Sequence, residues 1–337
     1  MDIALLKRLT EAWGPSGFEH HVRELIREEV ASYCDDIRVD NMGNLICRVG
    51  SLKEGGKKIM VAAHMDEIGV MTTFVEPISG YLRVAEIGGL LKQGLLGSRV
   101  LFEDGTLGVI GMHDMRKSRT VEINDFFIDV SAGETTDEGT AIQPGNPGVF
   151  WRELETRGSR VIAKAMDDRI GCAIAIEAMR RFDTSSPNEV YFVFTVQEEV
   201  GLRGAGTAAF SVEPDLGIAL DVTNTGDQPH NAKMAVRLGN GAAIKLHDPG
   251  LIVPAAIRDW MVNTAEAHNI PYQLEVLTGG STDASRIQVA RAGVPSGCIS
   301  IPCRFVHTPS ETVDQGDVDA CIELLVQLVG NAVELGE

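Results

Sequence analysis

Two glutamates, Glu198 and Glu199, stand side by side just past Gln197, where Tyr191–Val196, a short run of β-branched and aromatic residues, stops. That run predicts a buried strand, and open α/β sheets bind their ligands just beyond the carboxyl ends of strands. Alone, a Glu-Glu pair is an ordinary solvated turn. Other predicted strands end in the same way. KIMVAA runs into His64-Met65-Asp66-Glu67, LGIAL runs into Asp221, and the strand within Val294–Ile301 leads to a loop carrying His307. Asp167-Asp168 sits where a strand gives way to a helix. A single strand-end aspartate is usually a cap or turn residue, but five such positions on one sheet edge are hard to assign to chance.

The residue types suit one chemistry. Imidazole nitrogen with carboxylate oxygen favours zinc, cobalt or manganese over calcium or magnesium. Two histidines and at least three carboxylates are enough ligands for two ions. A pair ~3.5–4 Å apart needs a shared carboxylate, a role Asp167 can fill, and such a pair acidifies a bridging water and polarises a carbonyl. One glutamate can then ligate while its neighbour stays free as general base. Asp66, two residues past His64, is placed to orient that ring.

These residues need a framework. Asp2–Trp13 and Gly17–Ser32 read as helices separated by Gly14-Pro15-Ser16-Gly17, with Ser16 and Glu19 at capping-box spacing. Ile37–Arg48 reads as a hairpin turning near Asn41–Asn44. From about Thr72 to Arg160 the texture changes to short β-type runs between Gly-rich turns, which predicts an inserted, small all-β barrel. The α/β rhythm then resumes, with helices expected at Asp168–Phe182, Gly204–Phe210, Pro254–Asn269 and Asp317–Leu335. The expected organisation is a discontinuous α/β domain, 1–71 with 161–337, interrupted by a β-rich segment, 72–160.

Bulk properties exclude several partners. The formal net charge of −18 and a pI near 4.9 argue against nucleic acid and anionic membranes, which call for basic surface. No apolar run approaches the ~18 residues of a membrane span, and MDIALLKRLTEAWG lacks a signal-peptide pattern. Six cysteines without CxxC or regular spacing indicate a reduced, cytoplasmic protein. Gly204–Ala209 fits G-x-G-x-x-A, but Gln197–Arg203 separate it from its strand, and Glu198 and Glu199 would repel a pyrophosphate.

AAHMDEIGVM, AKAMDDRIGC, TVQEEVGLRGA, IALDVT, TGGSTDASR and IPCRFVHTPSE occur in that order. Together they resemble the TET, or glutamyl-aminopeptidase and deblocking-aminopeptidase, family of dizinc exopeptidases over essentially the whole chain. The resemblance implies a three-layer α/β sandwich with a mixed central sheet plus the barrel, and removal of N-terminal residues from short peptides. It implies one ion on His64, Asp167 and Asp221 and a second on Asp167, Glu199 and His307, with zinc favoured and cobalt or manganese as alternatives. Glu198 then corresponds to the base and Asp66 to the carboxylate behind the histidine ligand. It further implies a cis Asp167–Asp168 bond, dimer contacts through the insertion, and assembly into tetrahedral dodecamers. Gly280, Thr282 and Asp283 match a Gly-Gly-Thr-Asp stretch with one extra serine, and are expected either to cap a helix or to line the substrate pocket. Arg304 is expected either to contact a substrate carbonyl or to pair with an acidic neighbour.

Two other readings compete. Paired carboxylates serve an endoglucanase-type glycosidase, but that chemistry has no use for His64 and His307. A non-catalytic, metal-stabilised assembly protein has no use for Glu198.

Overall fold

The computed structural model describes residues 1–113, 121–130, 142–229 and 233–335. Its large sheet is built on four parallel neighbours. Glu189–Thr195 pairs with Lys58–His64, Lys58–His64 with Leu216–Thr223, and Leu216–Thr223 with Ser296–Arg304. Parallel strands covered on both faces carry unbroken apolar runs rather than alternation, and Leu216–Thr223 is buried at every position. Antiparallel strands extend the sheet on both sides. Leu45–Gly50 and Asp36–Val39 lie beyond Glu189–Thr195. Glu311–Asp314, Arg160–Ala163 and Glu155–Arg157 lie beyond Ser296–Arg304.

Helices cover both faces. One core packs Leu6 and Leu9 of Ile3–Glu11, Ile26 of His20–Val30, Ile170 and Ile174 of Met166–Arg180, and Leu325 of Gln315–Gly330 against the sheet. A smaller core on the other face joins Met60 and Val193 of the strands to Ala205 and Ala209 of Arg203–Val212 and to Ile287 of Asp283–Gln288. The result is the expected three-layer α/β sandwich. A six-stranded closed barrel is inserted into it, running from Gly69–Val75 through to Pro147–Phe150. The barrel has its own core, with Val70, Leu82, Val100, Phe102, Ile110 and Ile128 buried inside.

Local differences from the sequence reading have physical causes. The expected barrel edges, Thr72 and Arg160, fall within the first barrel strand and at the start of a strand of the large sheet. Residues 114–120 and 131–141 of that stretch lie outside the described residues. Ser16 and Glu19 do not form a capping box. The second helix starts at His20 with Glu19 at its cap position and no side-chain cap bond. Tertiary partners take both side chains: Ser16 Oγ donates to Asp66 Oδ2 at 2.6 Å, and Glu19 Oε1 accepts from the amides of Gly17 at 2.7 Å and Gln197 at 3.1 Å. The last helix spans Gln315–Gly330 rather than Asp317–Leu335, because Asp314 caps it by accepting from the Gly316 amide. Strands at Ala242–Asp248, Tyr272–Val276 and Glu311–Asp314 carry polar or charged residues amid short apolar runs, and pattern alone did not mark them.

Candidate active site

Parallel pairing gathers the predicted residues. Lys58–His64 and Leu216–Thr223 pair in the register Ala62↔Ala219, and His64 and Asp221 lie two positions further along each strand. Thr195 pairs with His64, so the Glu198-Glu199 loop leaves the sheet beside the histidine. Asp221 lies within its strand, which runs on to Thr223, rather than just past its end. Asp167 follows Arg160–Ala163, and His307 follows Ser296–Arg304. The Asp167–Asp168 peptide bond is cis.

His64 Nε2 lies 2.9 Å from Asp167 Oδ1 and 4.0 Å from both Asp221 Oδ1 and Glu198 Oε2. His307 Nε2 lies 3.4 Å from Asp167 Oδ2 and 3.3 Å from Glu199 Oε2. Asp167 thus presents one oxygen to each imidazole. The His64 side chain is 2% exposed and that of His307 34%, so the site opens on the His307 side. The structure brings His64, Asp167, Glu198, Glu199, Asp221 and His307 into one cluster.

Buried carboxylates on neighbouring segments hold these groups. Asp66 accepts the amides of Glu198 at 3.0 Å and Glu199 at 3.2 Å, and its backbone carbonyl lies 3.1 Å from His64 Nδ1. Gln197, at φ 56°, turns the chain so that these two amides face Asp66. Glu311 accepts the amides of Asp167 at 3.0 Å and His307 at 2.8 Å, tying both sides of the cluster to one side chain. Asp168 accepts the His64 amide at 3.3 Å and that of Gly171 at 3.0 Å. The sequence reading singled out neither Glu311 nor Asp168 for such a role. Their acidity beside predicted ligands was the available signal, but only the fold shows which amides they face.

The cluster is over-supplied with negative charge. Burial, then Asp221, Asp283 and Glu199, push the Glu198 carboxyl well above its ordinary range despite the nearby His64. Burial and Asp167 do the same to Asp221. Burial opposes a charge on His307, yet the carboxylates of Asp167 and Glu199 outweigh it and lift this imidazole to about 12. The residues fit a divalent cation. Imidazole and carboxylate atoms of His64, Asp167 and Glu199 lie within 4.8 Å of one another. Glu199 Oε1 is buried without a hydrogen-bond partner, the kind of atom that a cation satisfies.

A cavity of about 500 Å³ opens onto this cluster. Gly280 and Thr282 line it. Thr282 also occupies the N-cap position of Asp283–Gln288, but its side chain makes no cap bond, so the cap is a matter of backbone position only. Asp283 sits behind the wall, accepting from Thr195 Oγ1 at 2.5 Å. Arg304 is not in the lining. It pairs with Asp227, Nη2 to Oδ2 at 2.6 Å, so of its two expected partners the structure shows the acidic one. A larger cleft of about 750 Å³, bordered by Arg99, Trp151 and Arg152, contains none of the clustered residues. Chemistry rather than volume distinguishes the two.

An α/β sandwich that converges histidines and carboxylates at the carboxyl ends of parallel strands, and carries an inserted barrel, defines a hydrolase of the metallo-exopeptidase class. Residues 43–324 match the model of the M42 glutamyl aminopeptidase family, and the chain belongs to that family. The lysyl aminopeptidase of Pyrococcus furiosus is 34% identical over 346 residues, covering 98% of this chain and 97% of that protein. Aminopeptidase APDkam598 of Desulfurococcus kamchatkensis superposes with a TM-score of 0.91 at 40% identity, covering 97% of this chain and 94% of the other. The TET1 peptidase of Pyrococcus horikoshii, described as assembling into a tetrahedron or a large octahedral shell, superposes with a TM-score of 0.84 at 31% identity, covering 97% and 98%.

Proposed function

We propose that the protein removes N-terminal residues from short peptides with two divalent ions, zinc or else cobalt or manganese. His64, Asp167 and Asp221 hold one ion, and Asp167, Glu199 and His307 the other. The observation that carries this reading is Asp167, whose two carboxylate oxygens face the two imidazoles separately, at 2.9 and 3.4 Å. The bound ions supply a Lewis acid and lower the pKa of water. Glu198, whose carboxylate accepts no backbone amide among the described residues, takes the proton of the attacking water and passes it to the departing amine. Its neighbour Glu199 is a ligand. Asp66 orients His64 and the Glu198-Glu199 loop.

Besides the clustered acids and His307, the cavity lining includes Leu202, Val222, Leu277 and Val306, with Thr223 and Thr282. This part of the lining carries no charge among the described residues and suits an aliphatic side chain. It supports a preference for neutral N-terminal residues such as leucine. An aminoacyl-nitroanilide panel on chelated protein, with zinc, cobalt or manganese restored singly, tests the reading. Activity should vanish on chelation, return with metal, and be highest on the leucyl compound. Turnover that survives chelation would refute it.

Homo-oligomerisation has the support of the TET assemblies among the structural neighbours, and the barrel is the proposed dimer contact, with a dodecamer as the higher state. A monomeric mass by light scattering at micromolar, fully metal-loaded protein would refute it. No helix of the described residues is long and apolar enough to cross a membrane. All six cysteines are free and five are buried, which supports a reducing, cytoplasmic setting.

A further inference from the structure

His20 and His21 are the first two residues of the helix His20–Val30, and they form a group separate from His64, Asp167 and Glu199. Adjacent helical residues ordinarily point about 100° apart. Here both rings converge on one atom: His20 Nε2 and His21 Nε2 each lie 3.1 Å from Glu103 Oε1. The three groups keep their ligand atoms within 4.8 Å of one another. Glu103 stands in the turn just past the barrel strand Arg99–Phe102, so the cluster joins the sandwich to the inserted barrel.

The rings are held in place. Trp13 packs its indole edge-to-face on His20, with centroids 6.3 Å apart, and on His21, with centroids 5.8 Å apart. The two imidazoles lie 4.2 Å from each other. Trp13 is itself anchored to the barrel, its Nε1 donating to the carbonyl of Leu101 at 3.2 Å. Ligand atoms about 2.0–2.1 Å from a tetrahedral zinc stand about 3.3 Å apart, close to the 3.1 Å found for both nitrogen–oxygen pairs. The side chains are 44%, 52% and 49% exposed, which leaves room for an ion to arrive and for water to complete its shell.

We propose that His20, His21 and Glu103 form a second, non-catalytic site for a zinc-class divalent cation, which clips the start of the helix to the barrel turn. Two imidazoles and one carboxylate select zinc, nickel or copper over magnesium or calcium. The ion replaces the two ring contacts on Glu103 Oε1 with bonds of its own, using each Nε2 lone pair in the tautomer protonated at Nδ1.

The test compares ion counts in the intact oligomer and does not depend on how many ions the catalytic cluster holds. Wild type and the His20→Ala/His21→Ala variant are equilibrated against the same free zinc, and metal per chain is measured by elemental analysis. Wild type should carry one ion more per chain. Glu103→Gln should bind that ion at least tenfold more weakly, and peptidase activity should be the same in all three. Nickel, a quencher of nearby indole emission, should dim tryptophan fluorescence in wild type and not in the double variant. Equal zinc counts in wild type and double variant, or equal quenching by nickel, would overturn the proposal and leave the three side chains as a hydrogen-bonded surface group.

Discussion

Asp66 Oδ1 accepts a hydrogen bond from the backbone N–H of Glu198 at 3.0 Å, across 132 positions of the chain. Its other oxygen takes the Glu199 amide and the Ser16 hydroxyl, and its backbone carbonyl faces the His64 ring. One fully buried carboxylate therefore sets a proposed ligand and a proposed base at the same time. Burial works against its charge, and hydrogen bonds from His64, Ser16 and Glu198 hold its pKa below the usual value. Asp66→Asn keeps the shape but puts an amide N–H against one of these donors. Metal affinity or turnover should fall by about 10–100-fold, as for other partners of metal-bound histidines. A zinc competition titration with unchanged affinity, together with unchanged kcat/KM, would contradict this role.

Glu198 and Glu199 are chemically identical and differ only in what surrounds them. Glu198→Gln cannot accept a proton, and kcat should drop by ~10²–10⁴ while metal content stays the same. Glu199→Gln loses an anionic ligand, so one ion should weaken and added metal should restore part of the activity. Metal content and kcat, measured on both variants across a zinc series, separate the roles. Rescue of Glu198→Gln by excess metal, with Glu199→Gln fully loaded and inactive, would reverse the assignment.

Asp167 is the carboxylate that faces both imidazoles. Asp167→Ala should cost the protein both ions, whereas His307→Ala should cost it one. Elemental analysis that finds one tightly held ion in Asp167→Ala would rule out a shared ligand.

Without its ions the carboxylate cluster repels itself. Burial and neighbouring acids raise Glu198 and Asp221 well above their ordinary values, and burial lifts Asp283 to about 6. An acid whose pKa rises on folding contributes stability below its unfolded pKa and loses it as pH climbs through the folded one. Chelated protein should therefore gain in Tm as the pH falls from about 8 to about 6, whereas the metal-loaded form should lose, because protons compete for the ligands. Calorimetry of both forms across this window would expose an error as equal slopes.

Chain-local physics made much of this legible in the sequence. Short runs rich in β-branched, aromatic and aliphatic residues, such as Phe192–Val196 and Leu216–Leu220, read as buried strands, and the polar residues that end them collect at one sheet edge. The ordered motifs then pointed to the histidines and carboxylates that the fold brings together. Three things depended on tertiary contact. Ser16 and Glu19 have the spacing of a helix cap, but Asp66 and the Gln197 amide, far along the chain, compete for them and win. Arg304 stands three residues before His307, yet its side chain turns to Asp227 rather than to the cavity. Glu311 holds the amides of Asp167 and His307, and Glu103 gathers His20 and His21, through contacts that close only when distant segments pack. Periodicity records which face of an element is buried; which buried or half-buried polar groups meet across elements is decided by packing, and the chemistry of this protein lies in those meetings.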